Sequence, residues 1–165
     1  MVLRLGTAVT LALACAAVGA CSPLPKSPAE FRQSVRQGGW ATRIDQKTVG
    51  RDWQAAFTDI GRNAERCFNV STQTVAGQYG QPRQFQYRTT VKRNSDTGEV
   101  SVQMDSSNFA GDVPEGGMYI MVADVGGGSA GSTRVVVYSA GKSQLAQSVM
   151  AWAEGGGSEC PDIRS

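Results

Sequence analysis

Apolar and polar positions along the chain follow three different rhythms. From Val49 to Phe68, large or small apolar residues (Val49, Trp53, Phe57, Ile60, Ala64, Cys67, Phe68) recur at spacings of three and four, with Arg51, Asp52, Arg62, Asn63 and Arg66 between them. That spacing predicts one apolar face of an α-helix over about 49–66. The rhythm then shortens to two. Arg83–Arg93 places Phe85, Tyr87, Thr89 and Val91 on one face and Gln84, Gln86, Arg88, Thr90 and Lys92 on the other. Glu99–Met104 alternates again through Val100, Val102 and Met104, after the turn Asn94-Ser95-Asp96-Thr97-Gly98, so the two runs predict a β-hairpin. Asn69–Val75 is a weaker strand of the same kind. Met118–Val125 is nearly all apolar and predicts a strand buried on both faces. Thr133–Tyr138 follows across the glycine-rich connection Gly126–Gly131, as the second arm of another hairpin. Helical spacing returns over Lys142–Glu154, where Leu145, Val149 and Trp152 mark the buried stripe and Gly155 the stop.

The order helix, strands, helix predicts an α+β fold. We expect a two-layer sandwich in which an antiparallel sheet of three to five strands carries an N-terminal and a C-terminal helix on one face. The domain would run over 48–165, preceded by 1–20 and by a segment of different character, 21–47.

Residues 1–20 read as an export signal. Arg4 is the only charge before Lys26, Leu5–Val18 is continuously small or apolar, and Gly19 and Ala20 are small. The run is too short to span a bilayer comfortably, and Ser22-Pro23-Leu24-Pro25 would end any helix. Val18-Gly19-Ala20-Cys21 resembles the lipobox of bacterial lipoproteins: an aliphatic residue, two small ones, then cysteine. The resemblance implies a diacylglycerol on the Cys21 thiol, cleavage before it, and acylation of the new amino terminus, with palmitate or a similar chain. Cys15, after Ala12-Leu13-Ala14, is the rival, with bulky Leu13 at a small-residue position. Plain secretion, with Cys21 an incidental thiol, is the alternative. Ser22 is not the Asp that marks inner-membrane retention in Gram-negative lipoproteins. The destination implied is therefore the outer membrane, with the domain in the periplasm.

Cys21–Lys47 contains Pro23, Pro25, Pro28, Gly38 and Gly39 with little periodicity, and predicts a mostly extended tether. Lys26, Arg32, Arg36, Arg43 and Lys47 against Glu30 and Asp45 leave it basic, either as a solvated linker or as a segment resting on anionic head groups. Trp40 and Ile44 stand out as large apolar residues that could pack on the domain or on a partner.

With Cys15 removed and Cys21 acylated, Cys67 and Cys160 remain. They follow the two predicted helices, and an exported protein can keep a disulfide between them, closing a loop of about 93 residues. Two separate buried thiols are the alternative.

Composition narrows the chemistry. The chain has no histidine, so it lacks the commonest general base and metal ligand. Sixteen basic residues against 14 acidic ones give no excess for nucleic acid. Lys142 with Ser143 or Ser139 is the nearest approach to a nucleophile and base, and adjacent residues do not make a site. Asp105, Asp112, Glu115 and Asp124 could supply a carboxylate pair or a weak calcium site, but Asp112 and Glu115 flank Pro114 in a glycine-rich stretch that reads as a solvated loop. No cofactor or metal is expected. Candidate interaction residues are Trp40 and two loop aromatics, Tyr79 and Phe109.

The stretches NAERCFNV, GGMYIMVADV, STRVVVYSA and QSVMAWAEGGGSECP are similar to small lipoproteins of proteobacteria. The layout also resembles the helix-grip domains of BamC, a lipoprotein subunit of the outer-membrane protein assembly complex. The first resemblance marks a fold and not an activity, and the second is one of topology alone. With the lipobox-like Cys21 and no site for chemistry, the expectation is a non-catalytic, lipid-anchored envelope lipoprotein, a protein-interaction or assembly module facing the periplasm. The alternative is a lipid-anchored binder of a small ligand or cell-wall component, held in a groove between helices and sheet.

Overall fold

The computed structural model describes residues 24–38, 42–75, 82–106, 112–128, 131–141 and 143–163. Six strands form one antiparallel sheet: β1 (Thr42–Val49), β2 (Ser71–Val75), β3 (Pro82–Arg93), β4 (Thr97–Ser106), β5 (Met118–Gly127) and β6 (Thr133–Ala140). Their order is β1-β6-β5-β4-β3-β2. β2 to β6 meander from one edge to the other, and β1 returns to pair with β6.

Two helices, α2 (Trp53–Phe68) and α3 (Ser143–Ala153), pack side by side on one face. Phe57, Ile60, Ala64 and Phe68 from α2 meet Leu145, Val149 and Trp152 from α3 and the inward row Val100, Val102, Met121, Ala123, Val125, Val135 and Val137. Phe68 and Trp152 sit with ring centroids 5.7 Å apart. Gly98 lets this core close: a Cβ there would lie 2.3 Å from the Phe57 ring.

The α+β class and the antiparallel sheet are as the periodicities predict, but the sheet has six strands rather than three to five. The added strand is β1, which lies largely inside the segment expected to be an extended tether. That segment also contains a third helix, α1 (Pro28–Arg36), and this one lies on the opposite face of the sheet. The sandwich therefore has a partial third layer, and the described tether residues are mostly built into the domain. The reason for α1 is local. Ser27 caps it, accepting from the Glu30 amide at 3.2 Å, and Pro28 supplies a first-turn residue that needs no amide partner. The start of α2 differs from the predicted 49–66 for a similar reason. Asp52 accepts from the amides of Gln54 and Ala55, fixing the first turn at Trp53, while Val49 pairs with Thr133 in the sheet.

The carboxyl end of α3 is held by a cation. Arg51 donates to the carbonyl of Ala153 at 3.0 Å and is oriented by Asp59 at 2.8 Å. Gly155 turns the chain there with φ +79°, and a side chain at that position would collide with the Arg51 guanidinium.

Candidate functional site

The outer face of the sheet, opposite α2 and α3, is where the chain assembles charge. α1 lies across β5 and β6. Its Phe31 and Val35, one turn apart, are buried against Val122 and Tyr138, with Tyr119, Val136 and Ala140 around them. A bulge at Val102/Gln103 brings Tyr119 opposite Gln103 and onto this face, 6.2 Å from the Phe31 ring. Arg36 stacks over the Tyr138 ring and donates to its hydroxyl at 2.7 Å.

Arg32 points into the sheet beside that apolar patch. Glu99 of β4 and Asp124 of β5 are direct cross-strand partners, and like charges so placed repel. Arg32 bridges them. Its Nε donates to Asp124 Oδ2 at 2.9 Å, and its Nη2 reaches Asp124 Oδ1 at 2.5 Å and also Glu99 Oε2. The Arg32 and Glu99 side chains are 17% and 18% exposed. Burial pulls the Arg32 pKa down, but the hydrogen bonds and charges of Asp124 and Glu99 outweigh it and hold the guanidinium above its ordinary value. Burial, reinforced by the charges of Glu99 and Glu30, likewise raises the Tyr119 phenol. Next to the bridge is a recess of about 340 Å³, lined by Asn94, Thr97, Gly126, Arg134 and the two carboxylates. The arrangement clamps α1 to the sheet through one cation shared by two anions, with a hollow of mixed polar and apolar lining at its side.

Between the end of α2 and the segment after α3, Cys67 and Cys160 form a disulfide, with Cα atoms 5.2 Å apart. Arg66 holds the chain before it by donating to the Ser158 carbonyl. Beyond it, the Tyr87 hydroxyl lies 3.5 Å from the Ile163 carbonyl oxygen, and Ile163 is buried in the main core.

Cys21, Trp40, Tyr79 and Phe109 lie outside the described residues. The four acidic candidates do not converge. Asp124 belongs to the Arg32 bridge, and Asp112 pairs with Lys26 at 2.5 Å in the open. Among the described residues no group of three or more His, Cys, Asp or Glu could hold a metal ion. Ser139 is buried with no hydrogen bond to its hydroxyl, and Lys142 lies outside the described residues. No described helix is long and apolar enough to cross a membrane. Core side chains fill the centre between helices and sheet, and open recesses remain at its margins, one of about 360 Å³ beside Phe57, Gly61 and Val91 and one of about 340 Å³ between Lys47, Met150 and Glu154.

Asp124 stands out in the sequence only as one of four scattered acids, and its grouping with Arg32 and Glu99 escapes a reading of the sequence because each is a single charge in a different element. One signal was present. Ser27-Pro28-Ala29-Glu30 is a helix start, followed by Phe31 and Val35 at i and i+4.

No family model matches the chain, and no curated protein does. Solved structures that match include a hypothetical protein of Helicobacter pylori, at 7% identity and TM-score 0.42, covering 74% of this chain and 92% of that one. Protein Ms6760 of Mycobacterium smegmatis matches at 11% identity and TM-score 0.37, over 70% of this chain and 89% of that one. Ara h 8.0201 matches at 12% identity and TM-score 0.37, over 69% and 94%. At these values the likeness says nothing about what the chain does.

Proposed function

We propose that the protein is a non-catalytic envelope lipoprotein, anchored to the outer membrane through acyl chains on Cys21. Its domain faces the periplasm and binds an envelope protein as an interaction or assembly module. The observation that carries this reading is Val18-Gly19-Ala20-Cys21 at the end of a short apolar run. Two or more acyl chains give stable anchoring where one is marginal. The Cys67–Cys160 disulfide supports export, since such bonds persist in oxidising compartments.

Mass spectrometry of the membrane-extracted protein tests the anchor. The expected mature chain begins at a triacylated Cys21, and Cys21→Ser releases the domain from the membrane fraction. A mature chain with an unmodified Cys21 thiol would refute the anchor. Cross-linking in whole envelopes, followed by purification, tests the partner. Recovery of a glycan or lipid and no protein would favour the ligand-binding alternative.

A further inference from the structure

β1 is an eight-residue strand at the edge of the sheet, and among the described strands only β6 pairs with it. Edges are commonly blunted by charge. Here the charges have a pattern: Arg43, Asp45 and Lys47 form one row on the helix side, alternating in sign. On the other side Ile44 is 47% exposed, the large apolar residue most open to solvent among those described. Asp45 is incompletely satisfied. Arg43 Nε donates to its Oδ1 at 2.9 Å, while Oδ2, a buried atom, has that same nitrogen 2.7 Å away but no aligned hydrogen bond.

We propose that β1 pairs antiparallel with β1 of a second copy, about a two-fold axis through Ile44. Arg43 of each copy then stands opposite Asp45 of the other, twice over. Each Asp45 faces a second guanidinium, and Ile44 meets Ile44 across the axis. The neighbouring registers are worse. An axis through Asp45 sets that carboxylate against itself and Arg43 against Lys47. An axis through Gln46 pairs Asp45 with Lys47, but Lys47 already holds Glu154 at 2.6 Å, and Ile44 would face Thr48. The pairing closes on itself, because each copy spends its β1 edge and β2 takes no part. It does not depend on the lipid anchor.

The test uses the full chain in mild detergent, with Cys15→Ser and Cys21→Ser throughout so that no other free thiol is present beside the Cys67–Cys160 bridge. Directly opposed residues of an antiparallel pair have Cβ atoms about 4.5–5.5 Å apart, close enough for a disulfide after small adjustment. Ile44→Cys is expected to give a reducible dimer on mild oxidation, and Gln46→Cys none. The reverse pattern, or no dimer from either, overturns the proposal. Sedimentation velocity supplies the second arm. The parent is expected to dimerise with rising concentration, and Asp45→Arg to return it to monomer, since two guanidinium groups then oppose each other. Arg43→Asp combined with Asp45→Arg is expected to restore the dimer by exchanging the ends of each pair. A parent that stays monomeric, an Asp45→Arg chain that stays dimeric, or a folded double variant that stays monomeric each overturns it.

Discussion

The two faces of the sheet are held by different physics. The inner face buries a continuous apolar core under α2 and α3 and is covalently pinned by a disulfide. The outer face is covered over part of its width by a nine-residue helix with two buried apolar residues, and elsewhere carries Arg88, Thr90, Lys92 and other polar side chains. Nondirectional burial holds the first, with strength set by area. The second is placed by charge: without Arg32, Glu99 and Asp124 would stand opposed across two strands. Bulk apolar contact gives the domain its stability, and a few charges decide where a small element sits.

Substitutions can break that contrast. Phe68→Ala on the inner face removes a fully buried ring and is expected to cost about 3–5 kcal/mol in chemical denaturation. Replacing Cys67 and Cys160 together by Ser is expected to cost about 2–4 kcal/mol, and reductant should then have no further effect on the variant. Arg32→Met on the outer face is expected to cost about 1–2 kcal/mol, the burial being incomplete and the pair partly screened. In a chain already carrying Glu99→Gln and Asp124→Asn the same change should cost less than half as much. An equal cost in both backgrounds would show that Arg32 acts by packing alone.

Alkaline pH should weaken both faces, and more gently. Burial raises the phenol of Tyr87 under the inner core and, with help from Glu99 and Glu30, that of Tyr119 on the outer face. An unfolded chain ionises its tyrosines near pH 10, the folded one later, so their contribution is whole below about pH 10 and is lost as pH rises through the folded values. Tyr119→Phe should flatten part of that fall, read by denaturation midpoints against pH. The smallest effect is expected from Arg88→Ala on the uncovered outer half, within about 0.5 kcal/mol of the parent.

The elements with a clean apolar rhythm were legible from sequence. α2, α3 and the strands β3 to β6 each place a stripe or a row of apolar residues against the core. β1 was not, because its inward row is Arg43, Asp45 and Lys47, reversing the usual sense of alternation at an edge strand. α1 was hidden by its proline-rich surroundings and its brevity, although its capping residues were in view. The Arg32 bridge could not be read at all. Its three members come together only once β4 pairs with β5 and a helix lies across them. The cysteine pair was legible for the opposite reason, since few thiols remained to choose among.

The disulfide has a mechanical consequence. A chain pulled by its two ends can lengthen only outside the bond, so the 93-residue separation between Cys67 and Cys160 is withheld from extension. At about 3.3–3.6 Å per residue that is roughly 300 Å of slack that force cannot reach. Tension applied at the amino-terminal end would be met first by α1 and then by the β1–β6 ladder, while β2 through β6 and α3 stay inside a covalent ring that tension alone cannot draw out.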